Sequence, residues 1–256
     1  MDNFIIFIFG SMIGSFLNVC IYRIPREESI VFPGSRCVSC KKSIAWYDNI
    51  PLLSYVILMG KCRHCKKRIS FRYFTVELIS ALAFLTLFYY FGLTAKFWIY
   101  SLVTFALIVT TFVDLEFQII PDRISLGGLV LGIILSVFIP QLHNSFTWEA
   151  GLINSLLGML AGGGLIYLTG YVGQLIFHKE SMGGGDVKLM AMLGAFLGWK
   201  MAILIFFLAP FFGTPAGLYL KFKKKQDIIP YGPYIALASF VTMIWGHKIL
   251  RLLFYY

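Results

Sequence analysis

Acidic residues and cysteines are the side chains of this chain whose types and spacing could do chemistry. Only 12 of the 256 residues are acidic, and three aspartates stand at the ends of apolar stretches: Asp114, Asp122 and Asp186. Four of the five cysteines form two C-x-x-C pairs. Paired carboxylates can exchange protons with a substrate, and closely spaced thiolates can bind a metal ion. The sequence therefore contains two candidate sites of different chemistry.

Helix capping could explain some of these aspartates. Asp122 follows Pro121 and Asp186 follows three glycines, so both are expected at the amino-terminal end of a helix, where a carboxylate accepts unpaired amide protons. Asp114 is different because it is expected at the carboxyl end of a helix, where the macrodipole opposes a negative charge. Something other than helix stability must favour a carboxylate at that position.

The glycines before Asp186, Gly183 to Gly185, suggest a second interpretation. Glycine permits a close backbone approach or a positive φ, so the carboxylate of Asp186 could come near that of Asp114. Two carboxylates at such a distance share one proton; one then acts as base on a water while the other donates to a scissile carbonyl. The spacing alone leaves two interpretations open, metal-free amide hydrolysis and ion-coupled transport through intramembrane acids.

The cysteine pairs predict a zinc site. Its four ligands would be Cys37, Cys40, Cys62 and Cys65. Four thiolates close a tetrahedron around Zn²⁺ and leave no open position, so the metal is expected to be structural and to stabilise a segment with few large apolar side chains. His64 could replace one thiolate but is more typical of a solvated side chain, and Cys20 is predicted to be a small apolar filler of the first span.

The composition is that of a membrane protein. Hydrophobic residues make up 59% of the chain and charged residues 13%, against about 25% charged in soluble domains. A chain of this length cannot bury so much apolar surface in one core, so the surplus must face lipid. The net charge of +10 is concentrated beside apolar stretches and not interleaved with aromatic residues, so we expect no nucleic-acid partner.

Hydropathy predicts an all-α polytopic membrane protein with about eight transmembrane helices. The predicted spans are 4–21, 73–91, 96–113, 124–140, 151–177, 187–199, 201–220 and 232–252. The sixth is short and is expected to be partly buried against its neighbours. Most of the 22 lysines and arginines fall in alternate connections, which places those connections in the cytoplasm and the amino terminus outside.

This topology divides the chain into three parts. Residues 1–22 form the first transmembrane helix, and the polar segment 23–72 is predicted to be a small zinc-stabilised cytoplasmic domain. Residues 73–256 form a transmembrane domain that contains all three aspartates.

With these residues the chain resembles the type IV prepilin leader peptidases, G-x-G-D-type intramembrane aspartyl proteases that are often also N-methyltransferases. The protease signatures are the block from Asp114 to Asp122 and the block 183–188. The other similar blocks are 14–19, 22–25, both cysteine pairs, 49–55, 60–63, 72–73 with 77–78, and 229–233. Val38 stands where many members have proline, which should affect the turn more than metal binding.

The resemblance implies that Asp114 and Asp186 are the catalytic pair. The residues expected to support them are Asp122, Gly183, Gly185 and Lys188. The implied substrates are type IV prepilin or pseudopilin precursors, whose short basic leader ends in Gly. Cleavage after that Gly would occur at the cytoplasmic face of the bacterial inner membrane, and the lipid bilayer is the other implied partner.

The resemblance also implies that the new amino terminus, usually Phe, is methylated from S-adenosylmethionine. It associates this activity with the cytoplasmic segment and makes Gly60 and Lys61 candidates for it, although a turn before the second cysteine pair explains these two residues as well. No glycine-rich dinucleotide fingerprint marks a methyl-donor pocket. A peptidase that lacks methylation, and a transporter with a zinc-stabilised domain, remain alternatives.

Overall fold

The fold consists of helices joined by turns, described by a computed structural model for residues 2–178, 182–224 and 230–254. Within these residues the extended pairing is limited to two isolated bridges, Arg36 with Ser43 and Lys61 with Arg68. The chain forms two compact units, Met1–Val109 and Thr110–Tyr256.

Every predicted span coincides with a helix. The helices are α1 (Asp2–Arg23), α2 (Leu53–Ile57), α3 (Phe71–Phe91), α4 (Ala95–Phe117), α5 (Asp122–Phe138), α6 (Trp148–Phe177), α7 (Gly184–Leu197), α8 (Trp199–Lys224) and α9 (Gly232–Phe254). Three short 3₁₀ helices cover Ile24–Arg26, Trp46–Asn49 and Pro140–His143.

Five of the described helices are long and apolar enough to cross a membrane: α1, α3, α4, α6 and α9. The chain is therefore an all-helical, multi-pass membrane protein. Helix α5 has 17 residues and α7 has 14, while the apolar part of α8 ends at Pro215. The number of eight spans therefore stays a prediction.

In the first unit, α1 and α3 pack antiparallel at short distance. A Cβ atom at Gly14 would lie 2.7 Å from the Cα of Glu77, so only glycine allows this approach. One turn further along α1, the Asn18 side chain donates a hydrogen bond to the carbonyl of Tyr73 at 3.0 Å. Cys20 is 6% exposed on the same helix, which confirms its expected role as a buried filler.

In the second unit, α7 lies among α5, α6, α8 and α9. A side chain at Gly194 of α7 would overlap the carbonyl of Gly158 on α6, so these helices touch backbone to backbone. Leu189, Met190 and Leu193 are completely buried. This confirms that the short sixth segment is covered by its neighbours, and it places the middle of α7 inside the unit.

Candidate active site and metal centre

Asp114 lies in the last turn of α4 and is 6% exposed. Its Oδ2 atom accepts a hydrogen bond of 3.0 Å from the backbone amide of Gly232, the first residue of α9. A Cβ atom at Gly232 would lie only 2.7 Å from that oxygen. Glycine is therefore the residue that lets the start of α9 come close enough to hold the carboxylate.

Asp186 lies in the first turn of α7 and is 9% exposed. Its carboxylate accepts a hydrogen bond from the backbone amide of Gly183, the N-cap residue, and it interacts electrostatically with Asp114. The Asp186 carboxylate therefore lies at the amino-terminal end of α7, and its catalytic pairing with Asp114 stays a prediction. A Cβ atom at Gly185 would lie 2.9 Å from the Cβ of Ile120, so this glycine allows the segment after α4 to approach α7.

Tyr231 adds a neutral hydroxyl group to this site. It immediately precedes Gly232 and is half-buried. Burial, and then the negative charge of Asp186, raises the pKa of Tyr231 to about 12. Sequence reasoning assigned no role to Tyr231 or Gly232, although both belong to the block 229–233 that resembles the family; Ile229 lies outside the described residues.

Asp122 lies apart from this pair as an exposed residue. Pro121 is the N-cap of α5, and the carboxylate of Asp122 accepts two hydrogen bonds from the Lys188 ammonium, at 2.7 and 2.9 Å. The structure therefore gives Asp122 an ion pair that links the first turn of α5 to the second turn of α7, where the sequence suggested a cap. Both partners belong to the supporting set expected around the two aspartates.

The four paired cysteines form a single cluster. The Sγ atoms of Cys37, Cys40, Cys62 and Cys65 lie within 4.8 Å of one another. Those of Cys37 and Cys65 are 3.8 Å apart, which is the separation expected for two thiolates that bind one Zn²⁺ at about 2.3 Å. The arrangement fits a tetrahedral metal ion, and the exposed His64 is not part of it.

The two cysteine pairs are held by equivalent backbone turns. In the first, the amide of Cys37 donates to the carbonyl of Lys42, and the amide of Lys41 donates back to Cys37. The second repeats both bonds between Cys62 and the residues four and five positions later. Each turn therefore places two of the four clustered Sγ atoms, and its hydrogen bonds join residues that are close in the sequence.

An ion pair braces the second turn. The Arg63 guanidinium donates from Nε and Nη2 to the two carboxylate oxygens of Asp48, at 2.7 and 2.6 Å. These bonds hold the pKa of Asp48 below its usual value. They tie the 3₁₀ turn Trp46–Asn49 to the cysteine cluster.

Gly60 and Lys61 form the turn that enters the second cysteine pair. Gly60 has a φ of +63°, and its amide donates to the carbonyl of Tyr55. Lys61 pairs with Arg68 in one of the isolated bridges. This geometry gives both residues a structural role, and their part in methylation stays a prediction.

Helices of membrane-spanning length, two buried aspartates and a four-thiol cluster define a multi-pass membrane protein with a segment that could bind a metal ion. Residues 8–91 match the family model described as the bacterial peptidase A24 N-terminal domain, and residues 101–218 match that of the type IV leader peptidase family. The chain belongs to this family, and it is an enzyme.

Curated relatives are similar over nearly the whole chain. The prepilin leader peptidase/N-methyltransferase of Pseudomonas aeruginosa is 34% identical over 94% of this chain and 90% of its own length. The proteins of the same name from Aeromonas hydrophila and Dichelobacter nodosus are 34% and 32% identical, over 96% and 99% of this chain and 92% and 95% of their own lengths. No solved structure is significantly similar to the chain.

Proposed function

We propose that this enzyme removes the leader of type IV prepilin or pseudopilin precursors, with Asp114 and Asp186 as its catalytic pair. The observation that carries the proposal is that these two acids, on α4 and α7, are both buried and interact electrostatically. Buried carboxylates are expensive unless a function retains them. The relatives named as prepilin leader peptidases support the choice of substrate.

The proposed chemistry needs one proton shared by the two carboxylates. The ionised carboxylate takes a proton from water as the water oxygen attacks the scissile carbonyl carbon, and the protonated carboxyl group donates to the carbonyl oxygen. Collapse of the tetrahedral intermediate breaks the C–N bond, and a proton passes to the leaving amine. The amide of Gly232 would keep Asp114 oriented throughout.

The proposal extends to the placement of the enzyme in the bacterial inner membrane. We propose eight spans, an amino terminus outside, and catalytic aspartates at the cytoplasmic face, because lysine and arginine concentrate in the connections on that side. A precursor held in the bilayer by its apolar helix would present its short basic leader there. Cleavage follows the Gly that ends the leader.

Methylation of the new amino terminus is the second proposed activity. The relatives' names include N-methyltransferase, and residues 23–72 form the proposed cytoplasmic domain for it. S-adenosylmethionine would supply the methyl group. Zn²⁺ held by the four clustered cysteines would stabilise this segment without taking part in the chemistry, because four thiolates leave no open coordination position.

Cleavage of a prepilin-like substrate in detergent tests the peptidase proposal. Asp114→Asn and Asp186→Asn should each abolish cleavage, since neither amide can share the proton. Glu149→Gln is the matched control because it removes an exposed carboxylate at the start of α6. Cleavage at the wild-type rate by either aspartate variant would show that the pair is wrongly assigned.

Mass spectrometry of the mature product tests the second activity. With S-adenosylmethionine present, the new amino terminus should gain the mass of one CH₂ after complete cleavage, because a methyl group replaces an amine hydrogen. An unmodified product would remove methylation from the proposal and leave the peptidase intact.

A further inference from the structure

The segment between the two cysteine pairs includes an apolar stretch, residues 50–59, that its polar surroundings do not explain. Its large side chains point outward: Leu53 is 52% exposed, Val56 62%, Ile57 63% and Met59 82%. A patch of this kind on a domain surrounded by water marks an interaction surface.

This stretch lies against the flank of the first membrane helix. Together with α1 it encloses a groove of ≈ 480 Å³. Phe4, Phe7 and Ile8 line the groove from α1, and Leu52, Leu53 and Val56 line it from the stretch. The groove therefore lies beside the apolar amino-terminal half of α1, and Arg23 ends that helix at the opposite end.

Glu77 fixes the depth of the stretch relative to α3. Its carboxylate accepts a hydrogen bond of 2.7 Å from the amide of Leu52 and is also hydrogen bonded to Ser15 of α1. Glu77 lies six residues beyond Phe71, the first residue of α3, and therefore about 9 Å into that span at 1.5 Å per residue. The contact holds the turn at Leu52 beside apolar helix surface.

Most backbone amides of the stretch are paired, which suits residence in lipid, where unpaired amides are costly. Leu52 has a φ of +62°, and the amide of Leu53 donates across it to the carbonyl of Pro51. The Ile50 amide donates to the Ser54 hydroxyl. The amides of residues 54, 56, 58, 59 and 60 donate to carbonyls within the same stretch. The Leu52 amide instead donates outside the stretch, to the Glu77 carboxylate.

We propose that residues 50–59 are embedded in the lipid bilayer beside α1 and α3, entering from the side on which α1 ends. The occupant of the groove and of the outward face is then lipid acyl chain, continuous with the lipid around the two helices. The exposed cations that follow the stretch suit anionic headgroups at its point of entry. They are Lys61, Arg63, Lys66, Lys67 and Arg68.

Embedding changes where the second cysteine pair lies. Gly60 and Lys61 follow directly after Met59, so the turn into the metal cluster would sit at the membrane surface and not at the far side of a soluble domain. The proposal rests on packing and backbone pairing alone, and it stands whether or not the chain cleaves or methylates pilin precursors.

Spin labels placed in the full-length protein can locate the stretch. A genetically encoded nitroxide amino acid, which leaves all cysteines in place, is introduced singly at position 53 or 56 and the protein is reconstituted in phosphatidylcholine–phosphatidylglycerol nanodiscs. Positions 5 and 31 are the controls, since Ile5 is 50% exposed on the span α1 and Val31 is 67% exposed outside the described helices. Collision rates with oxygen and with a water-soluble nickel chelate are then compared.

Labels at 53 and 56 should resemble position 5, with frequent collisions with oxygen and few with nickel. Nickel access equal to that at position 31 would overturn the proposal and leave the stretch in water. Low access to both reagents, with dipolar broadening between labels, would overturn it in favour of contact with a second copy of the chain.

Variants at Glu77 test the link that holds the stretch in place. Glu77→Leu removes the acceptor for the Leu52 amide and should increase nickel access at position 53 several-fold. Glu77→Gln keeps an acceptor oxygen of the same reach and should leave the access unchanged. The measurements on the unsubstituted background decide the proposal even if Glu77→Leu does not fold.

Discussion

Replacing Gly232 with alanine should separate catalysis from stability at the aspartate pair. The added Cβ atom would lie 2.7 Å from Oδ2 of Asp114 and 3.3 Å from its Cγ. To restore an ordinary contact between this Cβ atom and Oδ2, the carboxylate must move by about 0.7 Å. The movement would lengthen the 3.0 Å hydrogen bond that the carboxylate accepts from the Gly232 amide. The clash falls on the end of a side chain, so the helices need not move.

The expected cost is mainly kinetic. A misplacement of about 1 Å at a reacting group can reduce the rate by about 10²-fold, and a shift of about 0.7 Å should therefore reduce kcat by about 10- to 100-fold. This corresponds to about 1.4–2.7 kcal/mol of lost transition-state stabilisation. KM should change little, because the substrate's apolar helix does not depend on the carboxylate for binding.

The assay is steady-state cleavage of a prepilin-like substrate in detergent, with thermal unfolding followed in parallel. Gly164→Ala is the matched control, because a Cβ atom at that helical position meets nothing within 4 Å. It should cleave and unfold as the wild type does. Wild-type kcat in Gly232→Ala would refute the reasoning, and so would a loss of activity that tracks a collapse in stability.

Three further predictions concern neighbouring features. Gly185→Ala should impair cleavage because its Cβ would meet Ile120 at 2.9 Å, whereas Gly184→Ala points into open space and should cleave normally; equal activities would contradict this. Lys188→Met breaks an exposed ion pair and should lower the free energy of unfolding by no more than about 1 kcal/mol in chemical denaturation. A larger loss would contradict the description of this ion pair as a weak surface contact. Cys62→Ser should lose bound zinc by elemental analysis while Cys20→Ser retains it, and retention in both would exclude the four-thiol site.

Local composition made the positions of the helices predictable. A span is a stretch of apolar residues whose backbone bonds are all internal, so hydropathy alone places it, and each predicted span lies on a helix. The cysteine turns are equally local, since each is closed by bonds between residues four and five positions apart. The pairing of the two turns into one cluster followed from the chemistry of a four-thiolate metal site.

Contacts between distant residues were not predictable in this way. The amide of Gly232 and the carboxylate of Asp114 are 118 residues apart, and no periodicity links them. Hydropathy assigned the whole of residues 23–72 to one environment, because that segment is polar on average. It could not show that the Leu52 amide is hydrogen bonded to Glu77 within the span α3. Asp122 was expected to cap its own helix, but its carboxylate pairs with Lys188, which is 66 residues away.

The position of Asp114, which helix electrostatics made hard to explain, follows from a second helix. Its carboxylate lies at the carboxyl end of α4, where the dipole of that helix is unfavourable. The hydrogen bond that it accepts comes from the amide of Gly232, the first residue of α9. The same carboxylate therefore lies at the amino-terminal end of another helix, where unpaired amides and the dipole favour negative charge. Asp186 has the same support from the first turn of its own helix, through Gly183. Each acid is thus held by a helix amino terminus that begins at or just after glycine, and both termini favour a buried negative charge.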